Sequence, residues 1–216
     1  MYRSRAEGNM GIAKEDAAAD LHWIPLGTGQ TVVRASGRIF ETLSALVQRR
    51  KRCALYHSAL TITVPEGRFT IEMAPVSDLH GKRRGVVAEG PVGMRSAGRW
   101  QLFRYEIRCW ADGIIPDARK AVSTVRVSVD LKEAQTLIAL APLVPTPVWG
   151  RDDLHAGEMW NSNSVTAWLL KRCGVDTAQI VPPAGGRAPG WMAGLVVAAR
   201  VPLPITAAVF PPTTQR

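Results

Sequence analysis

Cysteine is scarce in this sequence. Cys53, Cys109 and Cys173 are too few and too scattered for a disulfide framework or a zinc knuckle. A reducing compartment, the cytoplasm, is therefore the expected location. Long apolar runs are missing too. The most apolar stretch, residues 191–210, is broken by Arg200, Pro202 and Pro204, which makes it a poor membrane span. The first residues lack the apolar stretch of a secretory signal. Acidic residues are in deficit, 18 against 27 Lys and Arg, for a net charge of +9 and an isoelectric point near 10.1. That balance permits binding to acidic surfaces such as nucleic acid or anionic lipid without showing it. Phenylalanine is sparse at four, whereas tryptophan numbers seven. A buried indole N–H needs a partner, so some of these tryptophans are expected to line a cleft.

What is present describes one globular unit. The chain has 216 residues and is 46% hydrophobic, enough length for a substantial core. Residues 1–20 read as a flexible segment, 21–210 as a single domain and 211–216 as a loose tail. The basic runs Arg49-Arg50-Lys51-Arg52 and Lys82-Arg83-Arg84 read as solvated surface, because no aromatic residues interleave with them as on a single-strand stacking platform. Residues 21–36 read as a loop with a short strand near Thr31-Val32-Val33, and 38–52 as a helix burying Ile39, Leu43, Leu46 and Val47. Ala54–Val64 and Arg68–Ala74 read as a hairpin through Pro65-Glu66-Gly67. Its first strand sets His57, Ala59, Thr61 and Thr63 on one side, and Tyr56, Ser58, Leu60, Ile62 and Val64 on the other. Short strands are expected at 85–88, 100–110, 124–129 and 195–201. Asp130 and Glu133 have the form of a capping box opening a helix that buries Leu131, Ala134, Leu137 and Ile138. The layout is α+β, with a mainly antiparallel sheet packed against helices.

The stretch from Met159 to Leu170 draws these elements together. A polar turn, Trp160-Asn161-Ser162-Asn163-Ser164, opens into an apolar helix whose Val165, Trp168, Leu169 and Cys173 recur at helical spacing before Gly174. Asn161 or Ser162 is the natural N-cap. A hydroxyl at the mouth of a buried helix is also a place where hydrolases hold a nucleophile, since the unpaired N–H groups and positive dipole end can hold an oxyanion.

The order of Tyr56-His57-Ser58-Ala59-Leu60-Thr61-Ile62, then Phe69-Thr70-Ile71-Glu72-Met73, then Gly85-Val86, then Asn161-Ser162-Asn163-Ser164-Val165 resembles the circularly permuted NlpC-type branch of the papain-like superfamily. The likeness covers roughly residues 50–175. It implies a papain-like fold in which His57 matches the base, Glu72 the orienting polar residue and Ser162 the nucleophile position. The family pattern has cysteine where this chain has Ser162, and a thiolate forms near a histidine far more readily than an alkoxide. A serine-dependent variant, an inactive relative kept for binding and a disabling replacement of a cysteine all remain open. Ser164 is the second hydroxyl at the helix mouth. Glu72 shares the face of His57 if the hairpin turn has two residues, and takes the opposite face if it has three.

Two further groups accompany the motif. Asp152, Asp153, His155 and Glu158 offer oxygen and nitrogen donors, but with no second histidine and no familiar metal spacing they read as a polar loop feeding the helix. Gly185-Gly186-Arg187 with Pro189-Gly190-Trp191 lacks the lysine and strand-to-helix context of a phosphate loop. By the resemblance, Arg187 and Trp191, with Trp160, Asn161, Asn163 and Ser164, would line the substrate groove. No metal or cofactor is expected. The leading expectation is a hydrolase or acyltransferase acting on an amide or ester of a peptide-like, ester or glycan-linked small substrate. The alternatives are an inactive scaffold that binds a peptide or glycan and, ranked last, a basic binder of nucleic acid or a membrane surface.

Overall fold

The computed structural model describes residues 17–26, 51, 53–76, 85–113, 115 and 121–200. Its strands are β1 (Ala18–Pro25), β2 (Ala54–Val64), β3 (Gly67–Pro75), β4 (Val86–Pro91), β5 (Arg104–Ala111), β6 (Ser123–Val127) and the two-residue β7 (Gly186–Arg187). The helices are α1 (Leu131–Leu140), α2 (Ser162–Cys173) and α3 (Trp191–Arg200). The sheet runs in the order β4-β5-β3-β2-β1-β6, and every neighbouring pair along that path is antiparallel. β7 adds a parallel pairing at the start of β2. The class is α+β with a mainly antiparallel sheet. Among the described residues, no helix is long and apolar enough to cross a membrane.

Period-two patterning decides which face of this sheet is covered. Ala19, Leu21 and Trp23 of β1, Tyr56, Leu60, Ile62 and Val64 of β2, and Ile71 and Met73 of β3 join one core. That core also takes in Ala134 and Leu137 of α1, Val165, Trp168 and Leu169 of α2, and Trp191, Val197 and Ala198 of α3. Alternate residues of the same strands point the other way. Ile24 and Ala59 form a second, smaller cluster with Ile115 there.

The hairpin turn has two residues. Val64 pairs with Gly67 and Leu60 with Ile71, after which the β2–β3 pairing ends. Asp130 caps α1 through the expected reciprocal bonds with Glu133. At the end of α2, Gly174 takes a left-handed conformation (φ 96°), as the sequence implied.

Three expectations need correction. Residues 18–25 form β1, so 18–20 are not part of a flexible segment and 21–25 are not loop, because Ala19, Leu21 and Trp23 already alternate inward. β5 begins at Arg104, not at residue 100, since Arg95–Arg99 and Gln101–Phe103 coil into two short 3-10 turns. Residues 195–200 are helical rather than a strand. There the small residues Ala193, Gly194 and Ala198 let α3 lie close against α2, and a Cβ on Gly194 would sit 2.2 Å from the carbonyl oxygen of Ser164. The expected strand at 31–33, most of the helix at 38–52, the Lys82–Arg84 run and the tail at 211–216 lie outside the described residues.

Candidate functional site

The mouth of α2 is a densely bonded joint. Asn161 is the N-cap, and its Oδ1 accepts from the backbone N–H groups of Asn163 (2.9 Å) and Ser164 (3.4 Å). Ser164 closes a capping box by accepting the N–H of Asn161 at 3.0 Å, while its hydroxyl lies 2.7 Å from the carbonyl of Gly190 and 3.3 Å from that of Met159. Asn161 Nδ2 donates to the carbonyl of Pro189 at 2.9 Å. Two of the N–H groups that could hold an oxyanion are thus occupied by the cap itself.

Asn163 fastens this joint to the sheet. Its Nδ2 donates to the carbonyls of Tyr56 and Pro189, both at 2.9 Å, and its Oδ1 accepts the hydroxyl of Ser58 at 2.9 Å. The residue is buried, and three of the four bonds its amide can form are made. Ser162 is also buried, and among the described residues its hydroxyl makes no side-chain hydrogen bond.

The strand register separates the expected trio. Ser58, which meets α2 through Asn163, faces the helices, as do Tyr56 and Leu60. His57 lies between Tyr56 and Ser58 and stands opposite Ile24 of β1, a member of the cluster on the second face. Strand alternation therefore turns the His57 side chain away from the mouth of α2. Glu72 follows Ile71, which pairs with Leu60, so it joins Thr70 and Thr61 on that same second face. The two-residue turn thus brings Glu72 to the face of His57, and both lie across the sheet from Ser162.

On that second face the sequence had left a charged group unnoticed. Arg108 is buried, with its guanidinium 3.2 Å from Glu72 Oε1 and 2.7 Å from Glu106 Oε2. The spacing of Glu106 and Arg108, two apart on one strand, signals a shared face, but their partner on β3 depends on register. His22 is buried on the same face, with Nε2 2.9 Å from the Thr61 hydroxyl and Nδ1 3.1 Å from that of Thr124. Burial lowers its pKa. The nearby Asp20 carboxylate opposes that shift, and Arg68 adds to it.

The aromatic residues expected to line a groove are core. Trp160 and Trp191 are both buried, and Trp191 packs on Trp23 with ring centroids 5.3 Å apart. The buried indole N–H groups of Trp23, Trp160 and Trp168 have no hydrogen-bond partner among the described residues. Arg187 lies in β7, paired with Leu55. The neighbouring glycine serves packing, since a Cβ on Gly186 would fall 2.2 Å from the Tyr56 ring, and its N–H donates to Pro183 rather than to an anion.

The acidic loop before α2 is structural in the same way. Asp152 accepts from the N–H groups of Ala156 and Gly157, Asp153 pairs with Arg95, and Glu158 accepts the N–H of Gly190. Among the described residues no cluster of His, Cys, Asp or Glu is arranged to hold a metal ion. Burial raises the Cys109 thiol to about 11 and the Cys173 thiol to about 12, so neither is a ready nucleophile.

These features describe an α+β protein whose first helix turn after the acidic loop is bolted to the central strand. No family model, no curated protein and no solved structure matches the chain.

Proposed function

We propose that the chain is a binding protein on an α+β scaffold rather than an acyl hydrolase that uses His57 and Ser162. The observation that carries this reading is the position of His57 on the sheet face turned away from Ser162. A serine hydroxyl needs a base within hydrogen-bond reach before it attacks an amide or ester. The occupied cap at Asn161 supports the same conclusion, because it removes donors from the oxyanion position. The ligand class that the resemblance implies is a peptide or glycan fragment, and a chain with only three scattered cysteines suits a reducing compartment, the cytoplasm.

The test is a fluorophosphonate probe and an activated ester, applied to the natural chain and to Ser162→Cys. Neither protein should show labelling or turnover that depends on His57. Labelling of Ser162 that disappears in His57→Ala would overturn the reading and restore the hydrolase.

A further inference from the structure

The exposed edge of the sheet carries an apolar group that the core does not use. Between β4 and β5 the two 3-10 turns present Met94, Trp100, Leu102 and Phe103, which are 54%, 52%, 82% and 42% exposed. This projection is held rigidly. Val92 donates to Phe103, Gly93 to Trp149, Trp100 to Ala97 and Phe103 to Trp100, all through backbone N–H groups at 2.8–3.1 Å. Ala97 is buried beneath it. The apolar side chains are therefore displayed by a fixed loop on the edge strand of the sheet.

Arginines accompany them. The Arg99 guanidinium lies 4.1 Å from the centroid of the Trp100 ring, and Trp100 meets Phe103 at 6.3 Å. Arg95 is exposed beside Asp153, and Arg104 beside Glu89. Among residues 85–104 the basic side chains are Arg95, Arg99 and Arg104 and the acidic one is Glu89, within a chain of net charge +9.

We propose that this edge docks on an anionic phospholipid surface, with Leu102 and Met94 entering the acyl boundary and Trp100 and Phe103 at the headgroup level. Aromatic rings of this kind favour the interface, where one end is apolar and the other wet. Basic residues around an apolar insertion add attraction to negative lipid. A stacking platform for nucleic acid has no use for Leu102, the most exposed apolar side chain here, and the tilt of Trp100 against Phe103 (60°) is not a stack of parallel faces. A stable protein interface uses about 20–30 residues a side, many more than this projection offers. The docking surface is independent of whether the α2 mouth is catalytic.

The experiment is co-sedimentation of the full chain with vesicles of phosphatidylcholine alone and of phosphatidylcholine with about one third phosphatidylserine, at low and moderate salt. Binding is expected to the mixed vesicles only, and to weaken as salt rises. Leu102→Ser should weaken it by about tenfold or more, given the apolar area withdrawn from lipid. Arg99→Gln should weaken it by about fivefold. Thermal melting should be unchanged in both variants, since both side chains are exposed. Equal binding of Leu102→Ser and the natural chain would overturn the proposal, as would equal binding to both vesicle types. A self-associating chain that Leu102→Ser makes monomeric would reassign the edge to a second copy and also overturn it. So would salt-sensitive binding to a single-stranded oligonucleotide that Trp100→Ala removes and Leu102→Ser leaves intact.

Discussion

Asn163 should matter more to this molecule than Ser162, the residue its motif brings forward. Asn163→Leu keeps the forked shape of the side chain and removes the amide. The carbonyl of Pro189 retains Asn161 as a donor, whereas inside the protein the carbonyl of Tyr56 loses the Asn163 donor and the hydroxyl of Ser58 loses its acceptor. A buried polar group left unsatisfied costs about 1–3 kcal/mol, so two of them set the expected loss at roughly 2–6 kcal/mol. For a domain of this size that corresponds to a fall in Tm of roughly 4–24 °C. Urea unfolding followed by circular dichroism and by tryptophan fluorescence measures it, and coincident transitions check that a single ΔG is meaningful. Ser162→Ala, which removes no side-chain hydrogen bond, should stay within about 0.5 kcal/mol of the natural chain.

A double-mutant cycle with Ser58→Ala isolates the 2.9 Å bond to Asn163. Residues in direct contact inside one network couple by about 0.5–3 kcal/mol. Asn163→Asp adds a directional check, because it turns a carboxylate toward the carbonyls of Tyr56 and Pro189, where the amide had donated. Protonation would give that side chain a donor again, so its deficit should shrink as pH falls. A loss below about 0.5 kcal/mol for Asn163→Leu, together with zero coupling to Ser58, would refute the view of this residue as the bolt between helix and sheet.

Other outcomes follow from the same geometry. Gly194→Ala gains about 1 kcal/mol of helix propensity but drives a methyl onto the Ser164 carbonyl, where overpacking costs about 1–3 kcal/mol; net destabilisation is expected in the same urea assay. Arg108→Met removes the guanidinium from two nearly buried carboxylates, an expected loss of about 3–5 kcal/mol at neutral pH, and Glu72→Gln with Glu106→Gln in that background should recover much of it. His22 has a folded pKa below its unfolded value of about 6.5, so the unfolded chain binds the extra proton. Its contribution is intact above about pH 6.5 and is lost as pH falls from there toward the folded pKa. His22→Gln should flatten the slope of stability against pH in that window, and an unchanged slope would contradict the assignment.

Local signals carried the parts of this fold that depend on neighbours in sequence. Asp130 with Glu133, Asn161 before Ser162 and Gly174 after Cys173 each fix a helix end through groups within four residues, and each end lies where those residues imply. The face of a strand is equally local, and the division of β2 into a His57 side and a Tyr56 side was legible before any coordinates. What the sequence withheld is which side the helices would cover. That choice comes from long-range pairing, and it moves Ser162 and His57 to opposite faces without altering any local pattern.

The same distinction explains the misread end of the chain. Leu195, Val196 and Val197 have the side chains of a strand, yet Ala193, Gly194 and Ala198 make this segment narrow enough to lie on α2. A β-branched residue loses little in a helix when a neighbouring helix buries it, whereas a strand there would need a sheet edge to pair with. Gly190 works by the same logic. Its φ of +83° suits glycine, and a Cβ would meet Asn161 and the Met159 carbonyl at 2.7 Å. Gly190, in a loop whose sequence lacks the context of a phosphate loop, is thus spent on bringing three segments within bonding distance of the α2 cap. The polar motif at 161–164 draws its sense from that convergence. Its small side chains saturate the backbone where α2, β2 and the approach to α3 meet, and this structural demand is sufficient to account for a run that also resembles a nucleophile's surroundings.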